Sequence, residues 1–120
     1  FFDSLQTLND GYYAERYGED YVNSKTAVRA LQMVTDFCKE NHAVGVVIGQ
    51  VTKDGKMAGA NTLKHMVDAK IHIGIEEKDA DLEGCRVLSC DKNRFGHNGT
   101  TLYLRLDDTG FTTVATVKMV

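Results

Sequence analysis

The run Ala43-Val44-Gly45-Val46-Val47-Ile48-Gly49 contains no polar side chain at any position. A strand without a polar face suits one environment, the centre of a parallel sheet with helices packed on both sides. The run leads through Gln50 and Val51 into Thr52, and then into a polar stretch, residues 53–61, that holds two glycines and two lysines. Residues 62–67 follow with Leu63, Met66 and Val67 at helical spacing. A buried strand feeding a polar, glycine-rich loop and then a helix places the chain in the α/β class, as a three-layer arrangement of mostly parallel strands.

The flanking segments extend that reading. Ala27, Val28, Leu31, Val34, Phe37 and Cys38 recur at helical spacing across residues 24–41. Asn23 or Ser24 is available as N-cap and Lys39 lies near the C-terminus, so an amphipathic helix is expected there. Phe1-Phe2-Asp3-Ser4 reads as the end of a buried strand running into a loop, as if the sequence began inside a domain. Residues 5–23 are rich in Asn, Asp, Gly and Tyr without a clean period, which predicts a long, partly ordered loop of the functional kind. After Asp68, the isoleucines 71, 73 and 75 alternate with Lys70, His72, Gly74 and Glu76, the pattern of a half-buried strand. A charged turn over residues 76–84, strands over 86–91 and 101–106 joined by 92–100, and a last strand over 112–120 make an antiparallel β extension.

Composition excludes several classes. A length of 120 residues with 42% apolar and 26% charged side chains fits one domain with its own core. A net charge of -3 argues against a polybasic nucleic-acid binder, so contact with DNA would have to come from a local basic feature. Cys38, Cys85 and Cys90 are odd in number and lack C-x-x-C spacing, which fits reduced thiols better than a disulfide framework or a zinc site. His42, His65, His72 and His97 show no metal spacing. No run is long and apolar enough to span a membrane, and a cytoplasmic protein is expected.

Four local patterns could carry chemistry. An apolar strand ending in Asp3 presents a carboxylate at the carboxyl edge of a parallel sheet, where ligands of such folds bind, and there it could hold Mg²⁺ through water; a turn or cap aspartate reads the same way. Gln50, at the end of the neighbouring strand, could sense a γ-phosphate from that crevice or could satisfy backbone groups locally. In Thr52-Lys53-Asp54-Gly55-Lys56-Met57-Ala58-Gly59 the two ammonium groups and the flexible backbone suit a nucleic-acid phosphate backbone, as they would a solvated surface loop. Lys92 and Arg94, on alternate positions of Lys92-Asn93-Arg94-Phe95-Gly96, could clamp phosphate oxygens from one side of an extended segment; surface cations flanking a hairpin turn are the alternative. The Walker A pattern G-x-x-x-x-G-K-[ST] is absent from the sequence, so nothing here cradles a β-phosphate.

Taken in order, Asp3-Ser4-Leu5-Gln6-Thr7, Gly49-Gln50-Val51-Thr52-Lys53-Asp54-Gly55, Ala58-Gly59, His65-Met66-Val67-Asp68 and Lys92-Asn93-Arg94-Phe95-Gly96 resemble the RadA (Sms) family of bacterial DNA repair and recombination ATPases, within the RecA superfamily. The resemblance runs over nearly the whole chain, and the K-N-R-F-G string is its most specific piece. It implies that residues 1–120 are the C-terminal half of a RecA-like ATPase core, from the Walker B strand onward and without the Walker A half. Asp3 is then the Mg²⁺-associated carboxylate, with Ser4 and Gln6 as its neighbours and Ser4 counted with it among the nucleotide-binding residues. Gln50 stands where the family usually has histidine and where RecA has the glutamine that couples nucleotide state to the DNA loop.

The resemblance further implies that Lys53, Gly55, Lys56, Gly59 and Asn61 lie along single-stranded DNA, and that residues 10–21 correspond to a first DNA loop. Lys92 and Arg94 would reach ATP on the adjacent subunit of a homo-oligomeric ring or filament. Ala60 in place of proline, Lys64 in place of glutamate and a longer acidic stretch at 76–83 point to a divergent or phage-type relative. ATP and Mg²⁺ are expected as cofactors of the complete protein, and this chain alone, lacking a P-loop, is expected to bind nucleotide weakly and not to hydrolyse it. The missing strands would leave the strand at 43–51 with an open edge or face, so self-association is expected. A DnaB-type replicative helicase shares the fold but is disfavoured by K-N-R-F-G. A non-catalytic DNA-binding or regulatory module that kept the fold is the alternative of another class.

Overall fold

A computed structural model describes residues 1–7, 11–18, 24–52 and 60–118. The chain divides into two compact units, Phe1–Val67 and Asp68–Val120.

The first unit is assembled on one amphipathic helix. Strand β1 (Phe2–Asp3) pairs in parallel with β2 (Val47–Ile48), Phe2 opposite Val47 and Asp3 opposite Ile48, and the Phe2 N–H donates to the Val46 carbonyl at 2.9 Å. Between them in sequence come a 3-10 turn (Leu5–Thr7), helix α1 (Gly11–Tyr17) and helix α2 (Ser24–Asn41); helix α3 (Ala60–Met66) follows β2. Residues 5–23, expected as a loop, therefore include a turn and a helix among their described residues. Tyr12, whose ring lies 4.7 Å from both the Arg16 and the Arg29 guanidiniums, ties α1 to α2. No short-period signal marks so brief a helix, whose contact with α2 is made by side chains distant in sequence.

Helix α2 begins and ends where its caps predict. Leu5, Ala27, Leu31 and Leu63 form the buried cluster, with Val28, Ala30, Val47, Met66 and Val67 packed around it. Phe37, assigned by periodicity to the same apolar face, is exposed. The helix closes on His42, which adopts a left-handed φ of 50°, while the Ala43 N–H donates to the Cys38 carbonyl at 2.9 Å. That six-to-one bond satisfies a carbonyl that helix geometry leaves unpaired. Gly45 then crosses the helix so closely that a Cβ there would lie 2.8 Å from Cys38 Sγ, which explains the glycine inside the apolar run.

The strand expected over residues 43–49 is shorter than its composition suggests. Only Val47–Ile48 pairs, and Val44 is 92% exposed. An apolar run becomes a long strand only where partner strands offer backbone groups along its length, and among the described residues of this unit only β1, two residues long, does so.

The second unit is a four-stranded antiparallel meander, β3 (Ala69–Ile75), β4 (Arg86–Asn93), β5 (Thr100–Asp107) and β6 (Gly110–Lys118), in sequence order. These are the strands of the expected β extension, with the ends that fall on described residues moved by up to two residues; residues 119–120 of the last expected strand lie outside the described residues. The acidic connection between β3 and β4 folds onto itself: Glu76 Oε1 accepts from the Lys78 and Asp79 N–H groups at 3.0 and 3.1 Å, and the Gly84 N–H donates to the Glu76 carbonyl at 3.0 Å. Register places Ile71, Ile73 and Leu88 on one face with Leu102 and Cys90. Yet the three isoleucines of β3 are its more exposed residues, Ile73 at 61%. The alternation is as expected and its burial is reversed, because among its described residues this unit contains no helix to cover the apolar face.

Candidate functional site

In the first unit, the parallel pairing of β1 with β2 decides where the candidate residues stand. Asp3 is the last residue of β1, opposite Ile48, and Gln50 lies two residues beyond that partner, so both leave the sheet at the same carboxyl edge. Side chains at the carboxyl ends of parallel strands face the crevice in which α/β folds bind ligands. Asp3 and Gln50 are exposed there.

Ser4, by contrast, is buried at 3% and engaged by Thr7. The two hydroxyl oxygens lie 3.2 Å apart, the Ser4 N–H donates to Thr7 Oγ1 at 3.3 Å, and the Ser4 carbonyl accepts from both the hydroxyl and the N–H of Thr7, at 3.0 and 3.1 Å. Four contacts between two residues close the chain into the 3-10 turn immediately after Asp3. The Asp-Ser-x-x-Thr spacing thus shapes the turn and sets the direction in which the strand end departs. The Ser4–Asp3 peptide is cis.

Among the described residues no group of three His, Cys, Asp or Glu side chains could together hold a metal ion. Asp3 fits Mg²⁺ in a different manner. That ion keeps several waters and is commonly bound by one or two carboxylates together with substrate phosphates, so a single exposed carboxylate at a strand edge is an adequate protein ligand.

The loop expected to meet DNA, with Lys53, Gly55, Lys56 and Gly59, lies outside the described residues. Asn61, at the second position of α3, is exposed. The Gln6 backbone belongs to the 3-10 turn. Of residues 10–21, the described part is Gly11–Tyr17 with Gly18, and it is helical over α1 rather than loop-like.

Lys92 and Arg94 belong to the second unit, and their arrangement departs from two cations on one side of an extended segment. Lys92 is the penultimate residue of β4, while Arg94 lies beyond the strand in the turn. A β-bulge sets the direction of Lys92. Ile71 faces Cys90 but Lys70 faces Lys92, which makes Asp91 the extra residue. Without it, Lys92 would share the apolar face of Cys90 and Leu88, two and four residues back; the one-residue slip turns it to the face of Lys70 and His72. Asp91 also offsets the two opposed lysines, pairing with Lys70 Nζ at 3.3 Å.

Arg94 is held by a residue that no site pattern in the sequence singles out. Its Nη1 donates to Asp68 Oδ1 at 2.7 Å and its backbone N–H donates to the Asp68 carbonyl at 2.8 Å. Around it the turn is packed on itself: Asn93 Nδ2 donates to the His97 carbonyl at 3.1 Å, and a Cβ on Gly96 would come within 2.9 Å of that same nitrogen. The glycine of Lys92-Asn93-Arg94-Phe95-Gly96 therefore makes room for the asparagine three residues earlier. Phe95 is largely exposed. The only signal for Asp68 in the sequence was its place at the end of His65-Met66-Val67-Asp68, where chemistry alone assigned it nothing.

The chain is similar to proteins described as DNA repair protein RadA. It is 33% identical over 109 residues to that of Aquifex aeolicus, an alignment covering 90% of this chain and 22% of the relative. It is 33% identical over 114 residues to that of Brucella abortus, covering 94% and 22%, and 40% identical over 63 residues to that of Escherichia coli, covering 52% and 13%. The chain thus spans about a fifth of the length of the first of these curated relatives. No family model matches it. Among the described residues, no helix is long and apolar enough to cross a membrane.

Proposed function

This chain is a RadA-type DNA repair protein sequence over most of its length, and from that premise we propose that it supplies part of a RecA-like, DNA-dependent ATPase core acting on single-stranded DNA in recombination or branch migration. The observation that carries the reading is the parallel pairing of β1 with β2, with Asp3 and Gln50 leaving one carboxyl edge. In this reading Asp3 holds Mg²⁺ through water, and the ion neutralises phosphate charge. Gln50, on the neighbouring strand end, hydrogen-bonds according to whether a γ-phosphate is present and passes that state to the loop it precedes. Lys53 and Lys56 neutralise DNA phosphates, with Gly55, Gly59 and Asn61 permitting close approach of the backbone. Lys92 and Arg94 reach ATP bound by the adjacent subunit of a ring or filament, as cations placed to stabilise charge on the transferring phosphoryl group.

The test uses the complete protein. Asp3→Ala is expected to lower DNA-stimulated ATP hydrolysis by about a hundredfold or more, since it removes the carboxylate behind the metal. Lys53→Ala with Lys56→Ala is expected to weaken single-stranded DNA binding and to reduce the slope of log affinity against log salt by about 1.4, two contacts at roughly 0.7 each. Full hydrolysis by the Asp3 variant, or an unchanged salt slope, removes the corresponding half of the assignment.

A further inference from the structure

Arg94 and Asp68 are 26 residues apart, so their contact is made by the fold rather than by a local turn. It joins the residue just before β3 to the turn just after β4, and it does so twice, through the guanidinium at 2.7 Å and through the backbone at 2.8 Å. The side-chain distance lies at the short end of the range for a charge-assisted bond. Both side chains are nevertheless about half exposed, at 46% and 55%. An ion pair so open to water adds little to stability, because solvent screens the attraction and ordering two long side chains opposes it.

Orientation is what such a contact does supply. An arginine side chain on a surface turn samples many rotamers, and an incoming anion must order it on binding. Anchoring one nitrogen removes much of that freedom. The guanidinium is a planar fork with five N–H donors, so a group held at Nη1 retains donors for a second, bidentate partner such as a phosphate. The backbone bond fixes the base of the same side chain, and the Asn93–His97 contact fixes the turn around it. The arginine is thus restrained at both ends while its head remains accessible.

We propose that Asp68 is a positioning residue for Arg94, holding the guanidinium in one orientation before nucleotide arrives so that its remaining donors meet a phosphate already aligned. The proposal rests on the reading that Arg94 reaches ATP, and it adds the residue through which that cation is set. Asp68 does not itself touch the nucleotide. Its loss misaligns a group that acts on the transition state, and misplacement of such a group by about 1 Å costs as much as a hundredfold in rate.

The experiment is steady-state ATP hydrolysis by the complete protein, with Mg²⁺ and single-stranded DNA, for Asp68→Ala, Asp68→Asn, Arg94→Ala and the double variant Asp68→Ala/Arg94→Ala. Asp68→Ala is expected to lower kcat about tenfold, within the range that misalignment produces, while KM for ATP moves much less. Asp68→Asn keeps the shape and an acceptor oxygen, so it is expected to recover part of the loss. In the Arg94→Ala background, Asp68→Ala is expected to cost nothing more, because the two substitutions remove the same interaction. A wild-type rate for Asp68→Ala beside a slow Arg94→Ala overturns the positioning role and leaves the reading of Arg94 intact. A wild-type rate for Arg94→Ala overturns that reading and the proposal with it. An equal cost of Asp68→Ala in both backgrounds shows that Asp68 acts elsewhere. Should Asp68→Ala lower the melting temperature, Asp68→Leu, which keeps the bulk and removes the acceptor, carries the comparison, and an unchanged kcat for it then overturns the proposal.

Discussion

The two units of this chain are held together by different physics. In the first, the strands are two residues long, and cohesion comes from side-chain burial around Leu31 and its neighbours on α2. In the second, strands of seven to nine residues pair in an antiparallel ladder interrupted by irregularities between Lys70 and Ile71 and between Tyr103 and Leu104, while Cys85 is its one buried apolar side chain among the described residues. One unit depends on what its side chains touch and the other on how its backbone pairs. The candidate residues inherit that difference. Asp3 and Gln50 stand where a small core holds two strand ends in line, whereas Lys92 and Arg94 stand where register, a bulge and a turn direct them.

The largest expected effect tests the side-chain half of this contrast. Leu31 is 3% exposed, and Leu31→Ala is expected to cost about 2–5 kcal/mol through lost burial and the cavity left behind. Ile73→Thr, on the open face of β3, keeps a β-branched side chain and is expected to change stability by no more than about 0.5 kcal/mol. Amide hydrogen exchange followed separately over each unit reads both, and equal losses of protection would break the comparison. An intermediate effect tests the backbone half. Gly110 begins β6 with φ at 112°, so Gly110→Ala is expected to cost about 1–2 kcal/mol and to loosen the β5–β6 hairpin. His42→Gly relieves a left-handed non-glycine residue and is expected to stabilise the first unit by about 1 kcal/mol, so thermal unfolding should show the two substitutions with opposite signs.

The smallest effect is a matter of pH. The Thr109 hydroxyl and N–H both donate to Asp107 Oδ1, at 2.6 and 2.8 Å, and these bonds, with a lesser contribution from Arg105, hold the Asp107 carboxyl below its ordinary value. A carboxyl depressed on folding contributes stability above the pKa of the unfolded chain and loses it as pH falls through the folded value. The hairpin should therefore loosen slightly in acid and not at neutral pH. Thr109→Val is expected to raise the Asp107 titration toward that of an ordinary carboxylate, seen by NMR, while leaving the titration of the first unit unmoved.

Much of this was legible in the sequence, because the signals were periodic or local. Helix α2 was visible from apolar spacing and from Ser24 at its start, and the strands of the second unit from alternation and turn residues. Helix α1 was not, since seven residues give a helical period too little length, and its tie to α2 runs through Tyr12 and Arg29. Phe37 was misplaced because spacing reports a face and not what lies against it. The candidate site divided in the same manner. Asp3, Gln50, Lys92 and Arg94 could be read from residue type and order, but Asp68 as the partner of Arg94 could not, for nothing in a sequence announces a contact across 26 residues.

What the sequence determined by itself is a set of candidate residues: a carboxylate ending an apolar strand and an amide beyond the next in the first unit, and two cations near a glycine turn in the second. These follow from residue identity and short-range spacing, which act through local backbone geometry. The tertiary structure alone decided direction. Parallel pairing put Asp3 and Gln50 on one edge, the extra residue Asp91 turned Lys92 away from the apolar face, and Asp68 took hold of Arg94. Side-chain direction in a sheet reverses with each residue of register, and register is set by the partner strand.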